Sequence, residues 1–288
     1  MEIIPIASES LGVRSMATYI KTKDLRIMID PSAALCPKRY KLPPHQLELD
    51  ALENAKQKIR SYALKSDILT ISHYHYDHYN PDETFYKGKK VFAKNIYHQI
   101  NKSQQKRGIE FQKQIEETCE LINADNTSYT FGDTHLYCSP AFFHGPENVR
   151  LGYVMMVTIR DKTKTVVHAS DVQGPVTKEA ATYIIDQQPD VLIMDGPPTN
   201  LLGFRFSKKS LQDATQNLIE IIKKTKCQVI LDHHLLRDIH YDKRFSKPYE
   251  MYNDKIRTFA EFNNKKNNLL EAYRKLIWNK ESSDKINV

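Results

Sequence analysis

Six short apolar runs recur along the chain, and each stops at a polar turn: "RIMID", "DILTI", "GYVMMVTI", "TVVHAS", "DVLIMD" and "QVILD". Runs of this kind, rich in Ile, Val, Leu and Met and with little in-and-out alternation, suit strands that are covered on both faces. Covering them requires helices laid over the sheets, and the intervening segments can supply these. "PPHQLELDALENAKQKIRSYALK" carries Leu49, Leu52, Ile59 and Ala63 at helical spacing and opens on prolines, which suit a helix start. Further helical tracts are expected over about 97–123, 177–187 and 207–224, and the amphipathic tail "YNDKIRTFAEFNNKKNNLLEAYRKLIWNK" reads as one or two helices near 250–280. No repeat or low-complexity linker divides the 288 residues. The expectation is one α/β domain over 1–288, with the 97–123 tract inserted as a helical wall or lid between strands that carry the site.

In such folds sites gather beyond the C-terminal ends of the strands. There the chain places an unusual set of side chains. Straight after "DILTI" comes "SHYHYDHY", with His73, His75, Asp77 and His78 inside six positions. In an extended segment His73 and His75 point to one side and can share an ion; if the chain then turns, Asp77 and His78 begin a neighbouring position. Neutral imidazole and carboxylate are the ligands that zinc and similar divalent ions take. Three more strand ends supply the same chemistry: His144 in "SPAFFHGPE", Asp171 in "TVVHASDVQGP", and Asp232, His233 and His234 in "QVILDHHLLRD". A packed or surface histidine explains any one of these alone. Their agreement in order and context favours a metal site.

Other residues have two readings. Asp30 can orient a ligand histidine or merely end its strand, and Asp195 can sit near the site or form a turn. His168, inside "TVVHAS", reads as a core histidine, and His45, His98, His135 and His240 have no constellation around them. Arg14, Arg150, Arg205 and Arg237 offer planar donors to an anionic substrate, each alone being equally a structural ion pair. Arg205 and Arg237 are the substrate-binding candidates. A net charge of +7 favours an anionic partner, but the basic residues are spread, and "NKSQQKRG" and "RFSKKS" lack the interleaved aromatics of a nucleic-acid motif. Cys36, Cys119, Cys138 and Cys227 lie far apart without a C-x-x-C pair, so reduced thiols are expected. No window approaches the roughly 18 apolar residues of a membrane span, and the N-terminus lacks a basic-then-apolar leader. A cytoplasmic protein with no membrane association is expected.

The string "HYHYDH" followed by His144, Asp171 and the His233/His234 pair resembles the metallo-β-lactamase superfamily, as does "IMIDPS", whose strand ends in Asp30. More closely, "ESLGVRSMAT", "HGPE", "RLGYVMMVTI", "VVHASDVQGP" and "DHHLLRD" look like a group of archaeal proteins known only as predicted metal-dependent hydrolases. The resemblance implies an αβ/βα four-layer sandwich: two mixed sheets with helices outside and a site at one edge. It implies two divalent ions, zinc foremost with Mn, Fe or Co also accommodated. His73, His75 and His144 would hold the first; Asp77, His78 and one of His233 and His234 the second; Asp171 would bridge them. Asp77 and Asp171 would thereby serve catalysis by a hydroxide held between the ions. His233 stands four residues before Arg237, similar to the His-x-x-x-Arg of tRNA 3′-processing members, so His233 is assigned to the second ion and His234 either to support of the ligands from behind or to substrate contact. The implied activity is hydrolysis of an anionic substrate, a phosphodiester of RNA or of a nucleotide. A thioesterase or lactonase using the same metal pair is the alternative. A non-catalytic metal- or nucleic-acid-binding protein is disfavoured because no ligand is missing, and no protein partner is indicated.

Overall fold

The apolar runs that end in acids or histidines are strands, and they belong to two different sheets. A computed structural model describes residues 1–147 and 150–286. In the first sheet β1 (Glu2–Pro5), β2 (Thr18–Lys21), β3 (Arg26–Ile29), β4 (Ile68–Ile71), β5 (Lys90–Ala93) and β6 (Glu120–Asn123) lie side by side in that order. The first three pair antiparallel and the last four parallel. Helices α1 (Gln46–Lys65) and α2 (Lys102–Ile115) make the crossovers from β3 to β4 and from β5 to β6. The second sheet places β7 (Thr127–Phe131), β8 (Thr134–Phe143), β9 (Tyr153–Arg160), β10 (Thr165–Ala169), β11 (Val191–Asp195), β12 (Gln228–Asp232) and β13 (Ile256–Arg257) in chain order. It is antiparallel from β7 to β10 and parallel from β10 to β13. Here α3 (Lys178–Gln187) and α4 (Lys208–Thr225) are the crossovers, and α5 (Tyr241–Arg244), α6 (Ser246–Tyr252), α7 (Phe259–Phe262) and α8 (Leu270–Ile286) follow.

Three layers of apolar packing explain why these strands do not alternate. Between the sheets, Ile27, Ile29, Ile68 and Phe92 meet Met155, Val157, Ile193 and Ile230. On the outer face of the first sheet Leu69, Ile71 and Val91 pack on Ala55, Ile59 and Ala63 of α1 and Phe111 and Ile115 of α2. On that of the second, Leu192, Met194, Val229 and Leu231 pack on Ala180 and Ile184 of α3 and Leu218 and Ile222 of α4. The result is an αβ/βα four-layer sandwich. With roughly 1.5–3 kcal/mol for each fully buried large aliphatic side chain, a polar residue on either face would be costly.

The expected boundaries fail in two places. The 97–123 tract is not helical throughout: the helix runs only over Lys102–Ile115, capped by the Asn101 side chain accepting from the Gln104 N–H, and Glu120–Asn123 is the edge strand β6. Pairing with β5 in parallel register overrides the local helical pattern, and α2 is the ordinary crossover between two parallel strands rather than an insertion. In the tail, Ile256 and Arg257 add the short strand β13 beside β12, between helices that do form over 246–286. Among the described residues no helix is long and apolar enough to cross a membrane.

Candidate metal centre

Both sheets contribute strand ends to one edge of the sandwich, where hydrogen bonds to Ser72 tie them together. Asp30, just past β3, accepts hydrogen bonds from the Ser72 N–H (2.8 Å) and the Ser72 hydroxyl (2.7 Å). The Met155 N–H of β9 in turn reaches the Ser72 carbonyl at 2.9 Å, tying the end of β4 to the opposite sheet. The chain does not continue extended through "HYHYDH". It turns, with the His78 N–H on the His75 carbonyl at 2.9 Å, so the side-by-side placement of His73 and His75 comes from a compact loop rather than from strand periodicity. Asp30, Asp171 and His233 all take left-handed backbone angles, with φ of 48°, 57° and 55°. Such conformations are uncommon outside glycine and cluster where a site imposes them.

The side chains converge in two sets about the two oxygens of Asp171. His73 Nε2 lies 3.0 Å from His75 Nδ1 and 3.4 Å from Asp171 Oδ2, and His144 Nε2 lies 2.9 Å from that same oxygen. On the other side, His78 Nε2 and His233 Nε2 each lie 3.4 Å from Asp171 Oδ1. Asp77 closes this second set, with Oδ1 3.8 Å from His78 Nε2 and Oδ2 3.6 Å from His233 Nε2. His234 Nε2 faces the first-set oxygen of Asp171 from 3.9 Å. His73, His75, His144 and Asp171 form one group that could hold a metal ion, and Asp77, His78 and His233 form another. All the proposed ligands from the sequence therefore meet in one place.

Four of the rings are aimed by a partner on the far nitrogen. His78 Nδ1 donates to Asp30 Oδ2 at 3.0 Å, and His233 Nδ1 donates to Glu9 Oε2 at 2.7 Å. His73 Nδ1 pairs with the Ser72 hydroxyl at 2.9 Å, and His234 Nδ1 with Asp195 Oδ2 at 2.7 Å. Partners of this type fix the tautomer and leave Nε2 with a free lone pair directed inward. Among the described residues Nε2 of the buried His78 and both ring nitrogens of His144 make no hydrogen bond, although His144 Nε2 stands 2.9 Å from Asp171 Oδ2. Buried polar atoms are rarely left so, and His73 Nε2 and His75 Nδ1, 3.0 Å apart, bring two further ring nitrogens to the same point. The donor set fits a divalent ion on these grounds.

Electrostatics point the same way. Burial, reinforced by His78, pushes His73 down to about 4, and burial with His73 holds His75 well below the ordinary histidine value. Burial also acts to raise Asp77 and Asp171, yet the surrounding imidazoles, His78 and His233 first, outweigh it and hold both carboxyls below their usual range. Neutral rings and ionised carboxylates are the protonation states that metal ligands need. His78 departs from this pattern: burial disfavours its charge, but Asp171 and Asp77 together draw a proton onto it. Two carboxylates side by side, Asp171 buried and Asp77 half-buried, demand positive charge.

The weighed residues resolve individually. Asp30 and Asp195 are both orienting acceptors as well as strand ends. Asp232 is no ligand: it accepts from the backbone N–H groups of Ser10, His233 and Phe259 and from the Ser8 hydroxyl, anchoring the N-terminal loop and α7. His168 is a core histidine with Nε2 2.9 Å from the Met16 carbonyl oxygen. Arg237 reaches the site, with Nε on Glu9 Oε1 at 2.6 Å and Nη2 3.7 Å from Asp77 Oδ2. Arg205 is exposed, and its cation–π contact is with the neighbouring Phe204 ring at 5.2 Å rather than with the cluster. Sequence reasoning missed Glu9. It opens the "ESLGVRSMAT" string of the resemblance, but a single acid beside small residues gives no sign of its role, and only the fold brings it under His233. The 97–123 tract touches the site from behind: Gln104 accepts from the Tyr74 N–H at 3.3 Å and donates to the Leu151 carbonyl at 2.7 Å, bracing the two histidine loops.

Comparison with known proteins agrees with this architecture. No family model matches the chain. A UPF0282 protein of Methanocaldococcus jannaschii is 44% identical over 96% of this chain and 96% of its own length. UPF0282 proteins of Methanopyrus kandleri and Korarchaeum cryptofilum are each 42% identical, over 95% and 96% of this chain and 98% and 94% of theirs. Among solved structures, an isothiocyanate hydrolase from Delia radicum gut bacteria superposes with a TM-score of 0.50 at 12% identity, covering 86% of this chain and 94% of that one. The metallo-β-lactamase fold protein YhfI from Bacillus subtilis gives 0.46 at 14% identity, over 80% and 85%.

Proposed function

The chain belongs to the UPF0282 family of archaeal proteins, and from that premise and the geometry at the sheet edge we propose that it is a metal-dependent hydrolase. The observation that carries the reading is the convergence of five imidazoles, those of His73, His78, His144, His233 and His234, on the two oxygens of one buried carboxylate, with Nε2 of His78 and both nitrogens of His144 making no hydrogen bond among the described residues. In this reading His73, His75 and His144 hold one divalent ion, Asp77, His78 and His233 hold a second, and Asp171 lies between them. Zinc suits the imidazole-rich first set best, and Mn, Fe or Co fit the same donors. When bound, such a pair lowers the pKa of water into the neutral range and stabilises negative charge on a leaving oxygen. No Ser or Cys nucleophile is then required.

The protein's own groups supply orientation and charge. Asp30, Glu9, Ser72 and Asp195 hold the rings so that their lone pairs stay directed inward. His234, partly exposed and 3.9 Å from Asp171 Oδ2, is placed to donate to or accept from a substrate oxygen. A phosphodiester of RNA or of a nucleotide is the substrate favoured. Tyr76, between two of the ligands, is 55% exposed and lies under Arg107 at 5.7 Å, and Tyr40 carries Arg39 over its ring at 4.9 Å. Tyr76 also stacks on Tyr79, and exposed aromatic rings with guanidinium groups beside them suit a base and its phosphate. Bis(p-nitrophenyl) phosphate, short RNA, thioesters and lactones assayed on zinc- and manganese-loaded protein test this. Chelator-sensitive cleavage of the phosphodiesters is expected, turnover of thioesters or lactones alone would replace the substrate class, and no turnover in a metal-loaded protein would remove the hydrolase reading.

A further inference from the structure

One lone pair in the second set has two suitors. His233 Nδ1 donates to Glu9 Oε2 at 2.7 Å, so its single remaining acceptor is Nε2, which faces Asp77, His78 and Asp171. Arg237 Nη2 lies 3.3 Å from that same Nε2 and 3.7 Å from Asp77 Oδ2. The guanidinium is not there by chance of rotamer. Its Nε is fixed on Glu9 Oε1 at 2.6 Å, closing a ring of Glu9, His233 and Arg237, and its backbone carbonyl is pinned by Arg39 Nη2 at 2.7 Å. Both side chains belong to the 3-10 turn over His233–Arg237, which leaves β12 with His233 at a left-handed angle, and the Glu9 carboxylate holds them together.

We infer that Arg237 occupies the second cation position in the metal-poor protein and competes with the second ion for His233 and Asp77. An imidazole nitrogen cannot both coordinate a metal and accept an N–H on one lone pair. Loading the second position therefore requires Arg237 to give up His233 and leaves its positive charge close to the incoming ion. Among the described residues no arginine or lysine reaches the ring nitrogens of the first set, His73, His75 and His144, so it is free to fill first. Because Glu9 holds His233 and Arg237 together, the arginine stays tethered when displaced and returns when the ion leaves. The inference rests on the metal-dependent reading above and adds an order of filling set by a protein side chain.

Titration of chelated wild-type protein with Co2+, followed by calorimetry and by the visible absorption of the bound ion, tests it directly. Two unequal steps are expected, the second at least tenfold weaker, the scale of a forgone charge-assisted hydrogen bond. In Arg237→Met the second step should tighten at least tenfold, with the first changed less than about threefold on the same scale. Arg237→Lys keeps a cation for Glu9 but lacks the planar fork that reaches His233, so it should also tighten the second step. Two equal steps in the wild type, or an unchanged or weaker second step in folded Arg237→Met or Arg237→Lys, would overturn the competition while leaving a metal enzyme intact. Failure of the wild type to bind any ion would overturn the hydrolase reading itself, and the competition with it.

Discussion

Asp30→Asn changes one atom and is expected to disable one ion site through a tautomer. In the native site the carboxylate is ionised: burial acts to raise its pKa, but the bond to His78 outweighs that and holds it low. As an acceptor only, it takes hydrogen bonds from the Ser72 N–H at 2.8 Å, the Ser72 hydroxyl at 2.7 Å and His78 Nδ1 at 3.0 Å. Asparagine keeps Oδ1 for the Ser72 N–H but sets an NH2 group against His78 Nδ1. Two donors then face each other, and the conflict is relieved when the His78 proton moves to Nε2. That movement blocks the lone pair directed at Asp171. The fold should lose only about 1–3 kcal/mol, the cost of one compromised buried hydrogen bond. The affinity for one of two ions should fall about 10- to 100-fold, as happens when the partner of a ligand histidine is changed. Asp30→Ala, which strands three buried donors, should instead cost at least about 3 kcal/mol in the chelated protein. Urea unfolding gives the stabilities, metal titration the affinities, and long-range 15N–1H spectra of the imidazoles the position of the His78 proton. If Asp30→Asn binds both ions as the wild type does, or keeps the His78 proton on Nδ1, the tautomer reasoning is refuted.

Other perturbations separate the roles further. His233→Ala should reduce metal content toward one ion and abolish turnover, whereas His234→Ala should keep both ions and change rate or substrate affinity; elemental analysis showing the reverse would exchange the two assignments. Chelation should lower stability by about 4 kcal/mol relative to protein held at a thousandfold excess over Kd, read as a lower thermal midpoint that metal restores. Away from the site, Glu271 receives two bonds from Arg14, at 2.6 and 2.7 Å; burial opposes its charge, yet Arg14 brings its pKa down from 4.5 to about 2. Its folded pKa being depressed, the roughly 3 kcal/mol it contributes is present above pH 4.5 and disappears as pH falls toward 2. Glu271→Gln should therefore cost up to about 3 kcal/mol at pH 7 and flatten the acid limb of the stability curve, and an unchanged limb would show the pair to be neutral.

Much of the site was legible because its ligands are tied to strand ends. Buried strands announce themselves by apolar runs, and His73, His144, Asp171 and His233 each stand just past one, so topology alone brings them to a shared edge. What lay beyond reach were contacts between segments far apart in the chain. Glu9 lies 224 residues from the histidine it orients, and although it opens the "ESLGVRSMAT" string, nothing there says that its carboxylate meets His233. The doublet shows the same limit: strand periodicity cannot say which imidazole faces Asp77, because the chain leaves β12 in a 3-10 turn with His233 at a left-handed angle. The misread 120–123 stretch is a strand only because β5 offers an open edge, a tertiary circumstance that local pattern does not encode.

The most direct test is the number of ions each chain binds. Equilibrium dialysis of the wild type and of Asp171→Ala against micromolar zinc, followed by elemental analysis, should give about two ions per chain for the wild type and a marked loss from both sets in the variant, since Asp171 presents one oxygen to each. Absence of stoichiometric metal in folded wild-type protein would contradict the assignment of this edge as a metal centre and remove the basis for hydrolysis.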